Sequence, residues 1–573
     1  MRLLASRAMP VLLLLTFGAA CHRRAPETGA QLAHALLATQ RSAQTVRASG
    51  NVLRAEQMLA DAAGRTARGT ARDLVHGHIG ARAGRAAVLA ELAAARAALG
   101  DTTGALAAFD RMLFEAADPD VLDSLQRSPR YAELSSIPGV AERAGQLRAA
   151  RRWRGDSAFV SPYRDTIPVE ERLSGLALVW AEMRYGFVGQ GSAGAVDLDS
   201  AYRATVPRLL LPMDTWAFYQ EIERFMALAA DNHTDVMELP PPLRRHRASV
   251  PLDTRRVDGR VLVVRVRSAS LAALGVAAGQ EVLALDGLAP DAYVAAHVPP
   301  QFAVHTPQAR DVVTFGWRMW LGDSGTVVTV RLRAPNGEPR DVRIRRGGWS
   351  DAQRDPPVAA RRMDGGIGYL ALNTFSDPRV SALADCALAT LGELRALVVD
   401  TRLNGGGSQD AGWHLISQWL SRPYVQDQQF SNAYVAIWRA WGGGTVRVPM
   451  PERVVQPHPT VHRTIPLIWL VGPRTASAAE GVAALVEQTG VGVTLGEPTF
   501  GSTGQPILVP LPGGGRARVR VEEERYNDGR VYTRRGIMPM IAVPVTADGL
   551  RAGKDEVLDR ALEEVRRRLA AAP

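Results

Sequence analysis

A strand-like run that leads through a short turn into a helix limits the folds open to this chain. The run Ile465-Pro-Leu-Ile-Trp-Leu-Val471 is typical of a buried strand, and Gly481-Val-Ala-Ala-Leu485 has helical character. Ser477 lies at the turn between them. The first N–H groups of a helix lack partners within it and stabilise an oxyanion, so this turn suits a nucleophile. Ser477 followed by Glu480 is equally an ordinary capping box, and the turn alone leaves both interpretations open.

Strand-like and helix-like segments alternate from about residue 360 onward. Ile367–Leu372 and Ala396–Asp400 predict strands on either side of a helical segment, and Val491–Leu495 predicts a further strand after the Ser477 turn. Asp555–Val565 predicts a C-terminal helix. Strands that alternate with helices favour an α/β core, which we expect over residues 360–573.

Size and charge narrow the class of protein. The chain has 573 residues, of which 46% are hydrophobic and 22% charged, which predicts a folded protein of several domains. The net charge is +10, but no basic run is interleaved with aromatic residues, so we do not expect nucleic-acid binding. The two cysteines, Cys21 and Cys386, cannot build a disulfide framework or a cysteine-based metal site.

The N-terminus has the pattern of an export signal. Arg2 and Arg7 precede the short apolar run Pro10–Phe17, and the small residues Gly18-Ala-Ala lead to Cys21. This pattern resembles a bacterial lipobox and predicts a lipoprotein-type signal peptide over residues 1–21. We therefore expect export to the cell envelope or periplasm with a lipid anchor at Cys21; cleavage and release is the alternative. Residues 22–45 are expected to form a tether.

Three further regions are predicted between the tether and the core. Residues 46–155 have helical periodicity and a Gly-Asp turn that resembles a tetratricopeptide hairpin, so we expect an α-helical module that packs against the next domain or binds a partner. Residues 165–247 predict a helical subdomain. Residues 250–348 change to strand-like alternation and resemble a PDZ domain, whose sheet edge accepts an extended peptide.

Two other loops carry residues that could act with Ser477. Asn404-Gly-Gly-Gly407 follows a predicted buried strand and offers bare backbone N–H groups suited to an oxyanion hole. A phosphate-binding loop would need a Walker lysine, which is absent here. His233 lies in a polar loop after a predicted helix and is a candidate general base, although a lone histidine is more often structural.

Taken together, these segments resemble the family of carboxyl-terminal processing (tail-specific) and tricorn-type serine peptidases. The resemblance covers about residues 165–568 in the family's own order. The matching segments are Ala229-Ala-Asp-Asn-His-Thr-Asp235, Gly275 to Gly287, Gly368-Tyr-Leu370, Val399-Asp-Thr-Arg-Leu-Asn-Gly-Gly406, Thr475-Ala-Ser-Ala-Ala-Glu480 and Gly496-Glu-Pro-Thr-Phe-Gly501.

The resemblance implies a fold and a set of site residues. It implies a multidomain α+β protein with a PDZ-like domain and an α/β core of the crotonase-like, ClpP-like type. It implies Ser477 as the nucleophile, and Gly405, Gly406 and the N–H of Ala478 as the oxyanion site. It implies no metal and no organic cofactor.

The general base differs between two branches of this family. One branch uses a lysine at the position where this chain has Ser502, so a Ser–Lys dyad is excluded there. The tricorn-like branch uses a histidine, which His233 matches, with Asn232 where tricorn has a serine. The resemblance thus implies that His233 takes the Ser477 proton and that an acyl-enzyme follows.

One part of the family pattern is missing. The tricorn-like set completes its charge network with a glutamate, and Thr533 stands at that position here, with Met540 in place of a following aspartate. Asn232, Glu480 and Thr533 are therefore the candidates to orient or support His233, and Glu522, Glu523 or Glu524 could also substitute.

The sequence predicts an exported, membrane-tethered serine-type endopeptidase that acts on polypeptides. Its PDZ-like domain would align the substrate through the loop at Leu274-Gly-Val276. The alternative is a non-catalytic protein on the same fold that binds a peptide or an apolar ligand. The oligomeric state and the cleavage preference do not follow from the sequence.

Overall fold

A computed structural model describes residues 29–571, apart from 78, 116–127, 155–158, 190–196, 300–303, 336, 445 and 451. The chain divides into two compact units, residues 1–149 and 150–573. The predicted signal peptide, Cys21 and the first part of the predicted tether lie outside the described residues. Within the described part of the chain, no helix is both long and apolar enough to cross a bilayer.

The first unit is helical. Its helices are α1 (Gly29–Ala48), α2 (Val52–Arg65), α3 (Gly69–Gly77), α4 (Ile79–Ala98), α5 (Thr102–Glu115), α6 (Ala132–Ser135) and α7 (Pro138–Arg154). Leu59, Leu89 and Phe109 are buried together in its core. The predicted turn between two helices is present, since the Asp101 carboxylate accepts the Gly104 N–H at the start of α5.

The predicted tether is wrong over residues 29–45. Helix α1 occupies this stretch and buries Leu32, Leu36 and Ala43 in the same core. Apolar residues recur along one face of α1, and packing of that face outweighs the polar, alanine-rich composition that suggested a tether.

The second unit combines helices with several sheets. Its helices are α8 (Val169–Tyr185), α9 (Leu198–Leu210), α10 (Thr215–Met226), α11 (Ala269–Ala273), α12 (Pro290–His297), α13 (Pro307–Gly316), α14 (Val380–Leu391), α15 (Asp410–Ser417), α16 (Ala436–Ala440), α17 (Ala478–Thr489), α18 (Ala547–Arg551) and α19 (Glu556–Ala571). Its strands are β1 (Asp235–Glu238), β2 (Leu252–Val257), β3 (Arg260–Val266), β4 (Glu281–Leu285), β5 (Val327–Arg333), β6 (Arg340–Arg345), β7 (Val358–Met363), β8 (Ile367–Leu372), β9 (Ala396–Asp400), β10 (Tyr424–Val425), β11 (Gln428–Ala433), β12 (Val446–Pro449), β13 (Val454–Val455), β14 (Leu467–Val471), β15 (Val493–Gly496), β16 (Pro506–Leu511), β17 (Gly515–Arg520), β18 (Glu522–Arg525) and β19 (Ile541–Ala542).

The central sheet is built from the strands predicted for the α/β core. Its order is β19-β15-β14-β9-β8-β7, with β7 antiparallel to β8 and the other neighbours parallel. Along β9, Leu397 and Val399 face the cluster that includes α14, α15 and α17, whereas Ala396 and Val398 face the cluster that includes α19. Burial on both faces explains why these strands are continuous apolar runs rather than alternating ones. The multidomain α+β architecture is confirmed.

The helices between residues 169 and 226 are joined to the core by a small antiparallel sheet of three strands. Strand β1 pairs with β17, which pairs with β16, so Asp235 lies opposite Arg518. Leu176, Phe218 and Ile222 of the helices pack with Val519 of β17 in one buried cluster. This packing brings the loop before β1, with His233, onto the core.

Residues 252–345 contain a separate antiparallel sheet, in the order β2-β3-β4-β5-β6. It has its own core, which includes Leu271, Met319 and Trp320. The predicted strands and the short helix after β3 are present here. The assignment of this region as a PDZ domain stays a prediction.

Candidate active site

Ser477 stands on a sharp turn between a central strand and a helix. Strand β14 ends at Val471 and α17 begins at Ala478, so Ser477 directly precedes the helix. Its backbone φ is +57°, a value that residues other than glycine adopt only at a cost in free energy. The turn packs closely against the glycine loop. If Gly406 carried a Cβ atom, that atom would lie only 2.6 Å from the Cβ of Ser477. The strained, partly buried serine is thus presented towards the glycine loop.

His233 is placed against Ser477 by the loop that precedes β1. The Asp231 carboxylate accepts the His233 backbone N–H at 2.9 Å, which holds the loop in a tight turn. Nε2 of His233 then lies 3.1 Å from Oγ of Ser477. The side chain of His233 is buried at 6% exposure. The structure therefore brings together the two residues that the sequence proposes as base and nucleophile.

The second ring nitrogen of His233 faces a residue that the sequence did not propose as its partner. Nδ1 lies 2.6 Å from Oγ of Ser502, which is itself buried. Among the described residues, Asn232, Glu480 and Thr533 make no hydrogen bond to the ring, so none of them orients His233 directly; a supporting role for them stays a prediction. Ser502 occupies this position because its loop crosses behind the histidine.

The glutamate expected to cap the helix fixes this loop instead of the ring. Glu480 accepts the Ser477 N–H at 3.1 Å, as a capping residue does. It also accepts the hydroxyl of Thr499 and the N–H groups of Gly501 (2.7 Å) and Ser502 (2.9 Å). One buried carboxylate therefore joins the nucleophile turn to the Ser502 loop, and it supports the site from behind. The Ser477 hydroxyl is left to face His233.

The remaining candidates lie near the site but contact other groups. Thr533 Oγ1 is 2.7 Å from Thr503 Oγ1, one residue beyond Ser502. Glu522 accepts the Gln505 N–H, and Glu523 pairs with Arg447. Glu524 shares the Tyr532 hydroxyl with Asp427. The suggestion that Glu522, Glu523 or Glu524 replaces the missing glutamate beside His233 is wrong in this structure.

The electrostatic environment keeps His233 neutral. Burial, reinforced by the positive charges of Arg518 and Arg520, lowers its pKa to about 3, against an opposing effect of Asp231. Asp231 is itself paired with Arg520 at 2.7 Å, and both side chains are buried. A neutral imidazole has one free lone pair, which a general base needs.

Burial raises the pKa of several carboxyl groups around the site. Glu480 has its pKa raised to about 7 by burial, although its hydrogen bonds oppose the shift. Asp427 and Glu522 also have pKa values raised to about 7 by burial and by the nearby charge of Glu524. These groups lie in and behind the loops that carry the site. Because they change protonation near pH 7, the stability of the folded site depends on pH.

Of the three backbone N–H groups predicted to bind an oxyanion, one already donates to a protein acceptor. Gly406 N–H donates to the side chain of Asn404 at 2.9 Å, so the expectation that it is available is wrong in this conformation. The reason is local, because the asparagine side chain folds back onto the backbone two residues later. The N–H groups of Gly405 and Ala478 have no protein acceptor within the described residues. A Cβ at Gly406 would lie 3.1 Å from the Ala478 nitrogen, so the glycine loop and the helix start are adjacent.

Comparison with known proteins finds similarity to peptidases. Residues 366–543 match the model of peptidase family S41. A carboxyl-terminal-processing protease of Picosynechococcus sp. is 26% identical over 236 residues, which cover 39% of this chain and 50% of that protein. The chloroplastic C-terminal processing peptidase of Tetradesmus obliquus is 28% identical over 186 residues, which cover 32% of this chain and 36% of that protein. The matches thus span half or less of the length of these curated relatives.

Solved structures show the same fold. The structure of mature CPAF complexed with lactacystin has a TM-score of 0.55 and 17% identity, and the match covers 70% of this chain and 99% of that one. The resemblance of this chain to the family of tail-specific and tricorn-type peptidases is confirmed, and the segment that matches the S41 model is residues 366–543.

Proposed function

We propose that this chain is a serine-type endopeptidase that hydrolyses polypeptides through Ser477 and His233. The observation that carries the proposal is the line of three side chains in which Nε2 of His233 is 3.1 Å from Ser477 and Nδ1 is 2.6 Å from Ser502. The match of residues 366–543 to the model of peptidase family S41 and the names of the relatives support a peptidase.

The geometry defines the first chemical step. With the ring proton on Nδ1, donated to Ser502 Oγ, the lone pair of Nε2 faces the Ser477 hydroxyl. Nε2 takes the hydroxyl proton as Oγ attacks the peptide carbonyl carbon, and the negative charge moves to the carbonyl oxygen. The N–H groups of Gly405 and Ala478, which have no protein acceptor among the described residues, would receive this oxyanion.

The second half of the reaction reuses the same groups. The imidazolium gives its proton to the leaving amine as the C–N bond breaks, which leaves an acyl-enzyme on Ser477. Nε2 then removes a proton from water as the water attacks the ester, and Ser477 is released with its proton restored. Ser502 acts through His233: it holds the ring in the required tautomer and orientation, which places it among positioning residues rather than reacting ones.

Two accessory roles belong to this proposal. The sheet at residues 252–345 would align the substrate by strand addition, with its carboxylate near the loop at Leu274–Val276. In support, Arg340 lies at that loop and donates to the Leu274 carbonyl at 3.1 Å. We also propose export and lipid attachment at Cys21, which places the enzyme on the envelope membrane; this rests on the signal pattern in the sequence.

A peptidase assay on an unfolded protein tests the proposal. Wild type is compared with Ser477→Ala and His233→Ala, and we expect both variants to lose nearly all activity while their thermal unfolding stays close to that of wild type. Degradation at wild-type rates by either variant would show that the site is wrongly assigned. Tight peptide binding by wild type without turnover would instead favour the non-catalytic binding protein.

A further inference from the structure

Arg534 has a strained backbone beside the candidate active site. Its φ is +65°, which is unfavourable for a residue with a side chain. Its N–H donates to the Gly501 carbonyl at 2.7 Å, so it is tied to the residue just before Ser502. Glycine would satisfy the same turn without strain. Strain of this kind at a functional site points to a role for the side chain.

The guanidinium of Arg534 is half-buried and makes no ion pair among the described residues, although the more distant Asp231 carboxylate attracts it. Among the residues that the structure describes, no carboxylate lies within ion-pair distance of it, whereas nearby Arg518 and Arg520 pair with Asp235 and Asp231. Burial lowers the pKa of Arg534, which reports the cost of this arrangement. A buried unpaired charge is unfavourable unless a ligand supplies the opposite charge.

Within the described residues, the Arg534 side chain makes one hydrogen bond, which places it at the rim of the site. Nη2 of Arg534 is 2.9 Å from Nδ1 of His305. His305 lies at the surface; partial desolvation and the positive charge of Arg534 lower its pKa, so its neutral ring accepts this bond through Nδ1. The preceding residue, Val304, is buried in a cluster with Phe500, and Ala476 packs against that cluster. Ala476 is the neighbour of Ser477.

We propose that Arg534 and His305 form an anion subsite that receives a carboxylate of the substrate chain next to Ser477. The carboxylate belongs to an aspartate or glutamate side chain or to the free C-terminus. A guanidinium fork binds a carboxylate through two parallel hydrogen bonds, and neutral His305 with its proton on Nε2 offers one more donor. This inference rests on the proposed function and adds a substrate preference to it.

Three fluorogenic peptides of one sequence test the subsite: an amidated neutral peptide, the same peptide with a free C-terminus, and an amidated peptide with one glutamate. The value of kcat/KM is measured for wild type, Arg534→Gly, Arg534→Lys and Arg535→Gly. Arg535 is the exposed neighbour without an ion pair in the described structure, and it serves as the matched control.

We expect wild type to favour at least one acidic peptide over the neutral one by about tenfold or more, mainly through KM, because charge-assisted pairs are strong. The preference falls to within about twofold in Arg534→Gly, is partly kept by Arg534→Lys, and is unchanged in the Arg535→Gly control; these factors follow from loss of the bidentate pair. The peptide that shows the effect identifies the source of the carboxylate. Arg534→Gly is expected to unfold no earlier than wild type, since glycine accepts the turn.

Two results would overturn the subsite: no preference for either acidic peptide in wild type, or the same preference in Arg534→Gly. Failure of the proposed function is distinguished by a binding arm. Labelled peptides are titrated into the Ser477→Ala protein with and without Arg534→Gly, and tighter binding of the acidic peptide that depends on Arg534 supports the subsite even if no peptide is cleaved. Equal binding of acidic and neutral peptides to Ser477→Ala argues against it.

Discussion

Replacement of Ser502 by alanine isolates the contact that holds the proposed base. The hydroxyl lies 2.6 Å from Nδ1 of His233, and both side chains are buried, at 4% and 6% exposure. Its loss leaves the ring N–H without a partner in a site where water does not compensate, which costs about 1–3 kcal/mol. At about 1.4 kcal/mol per tenfold, kcat/KM should fall about 5- to 150-fold. We expect the fall in kcat, because the ring loses its orientation while the substrate site is intact.

Steady-state hydrolysis of a fluorogenic peptide measures this effect, with thermal unfolding recorded on the same samples. Ser431→Ala is the matched control: its hydroxyl donates to the Val521 carbonyl at 2.7 Å and does not contact His233. It should lose about as much stability as Ser502→Ala but keep its kcat. If Ser502→Ala keeps the wild-type kcat, or if Ser431→Ala loses kcat equally, the positioning role of Ser502 is refuted.

Further predictions concern the same site, its pH dependence and the N-terminus. Gly406→Ala should abolish hydrolysis in the peptide assay, because its Cβ would lie 2.6 Å from the Cβ of Ser477 at a backbone φ of +102°; activity above a tenth of wild type would contradict this. The acid limb of the kcat/KM profile should lie well below the ordinary histidine pKa of about 6.5, because the pKa of His233 is lowered to about 3; a limb at 6 to 7 that His233→Ala removes would refute it. The pKa of Asp427 is raised to about 7, so the folded chain binds a proton that the unfolded chain releases; the stability from this group is full below about pH 4 and is lost as pH rises through 7. Calorimetry should therefore show a smaller decline of Tm between pH 5 and 8 for Asp427→Asn than for wild type, and equal slopes would contradict this. Cells fed a labelled fatty acid should label the wild-type chain but not Cys21→Ser, and equal labelling of both would end the lipid-anchor proposal.

Much of the core fold follows from local sequence pattern. Ile468 lies between Val398 and Val493 in the parallel sheet, and all three belong to apolar runs that predict buried strands. Helix α1 does not follow from the polar, alanine-rich composition of its segment, because its stability comes mostly from packing of Leu32 and Leu36 against other helices.

Sequence motifs predict only part of the site. Ser477 and His233 stand out by their positions relative to a strand and a helix, and the structure places them in contact. In the sequence, Ser502 stands out only because it occupies the position of the family's lysine. Its contact with Nδ1 cannot be predicted, because that contact depends on how the loop crosses behind the ring. The left-handed φ of Arg534 is likewise a property of the folded turn, and nothing in the local sequence marks it.

Reaction with a serine-directed phosphonate tests the central proposal most directly. The intact protein is treated with the reagent, and the modified residue is located by peptide mass spectrometry in wild type, His233→Ala and Ser477→Ala. If Ser477 is the nucleophile activated by His233, wild type carries one adduct on Ser477, His233→Ala reacts far more slowly, and Ser477→Ala does not react. An unreactive Ser477 in folded wild type, or an adduct rate that is the same in His233→Ala, would contradict the proposed mechanism.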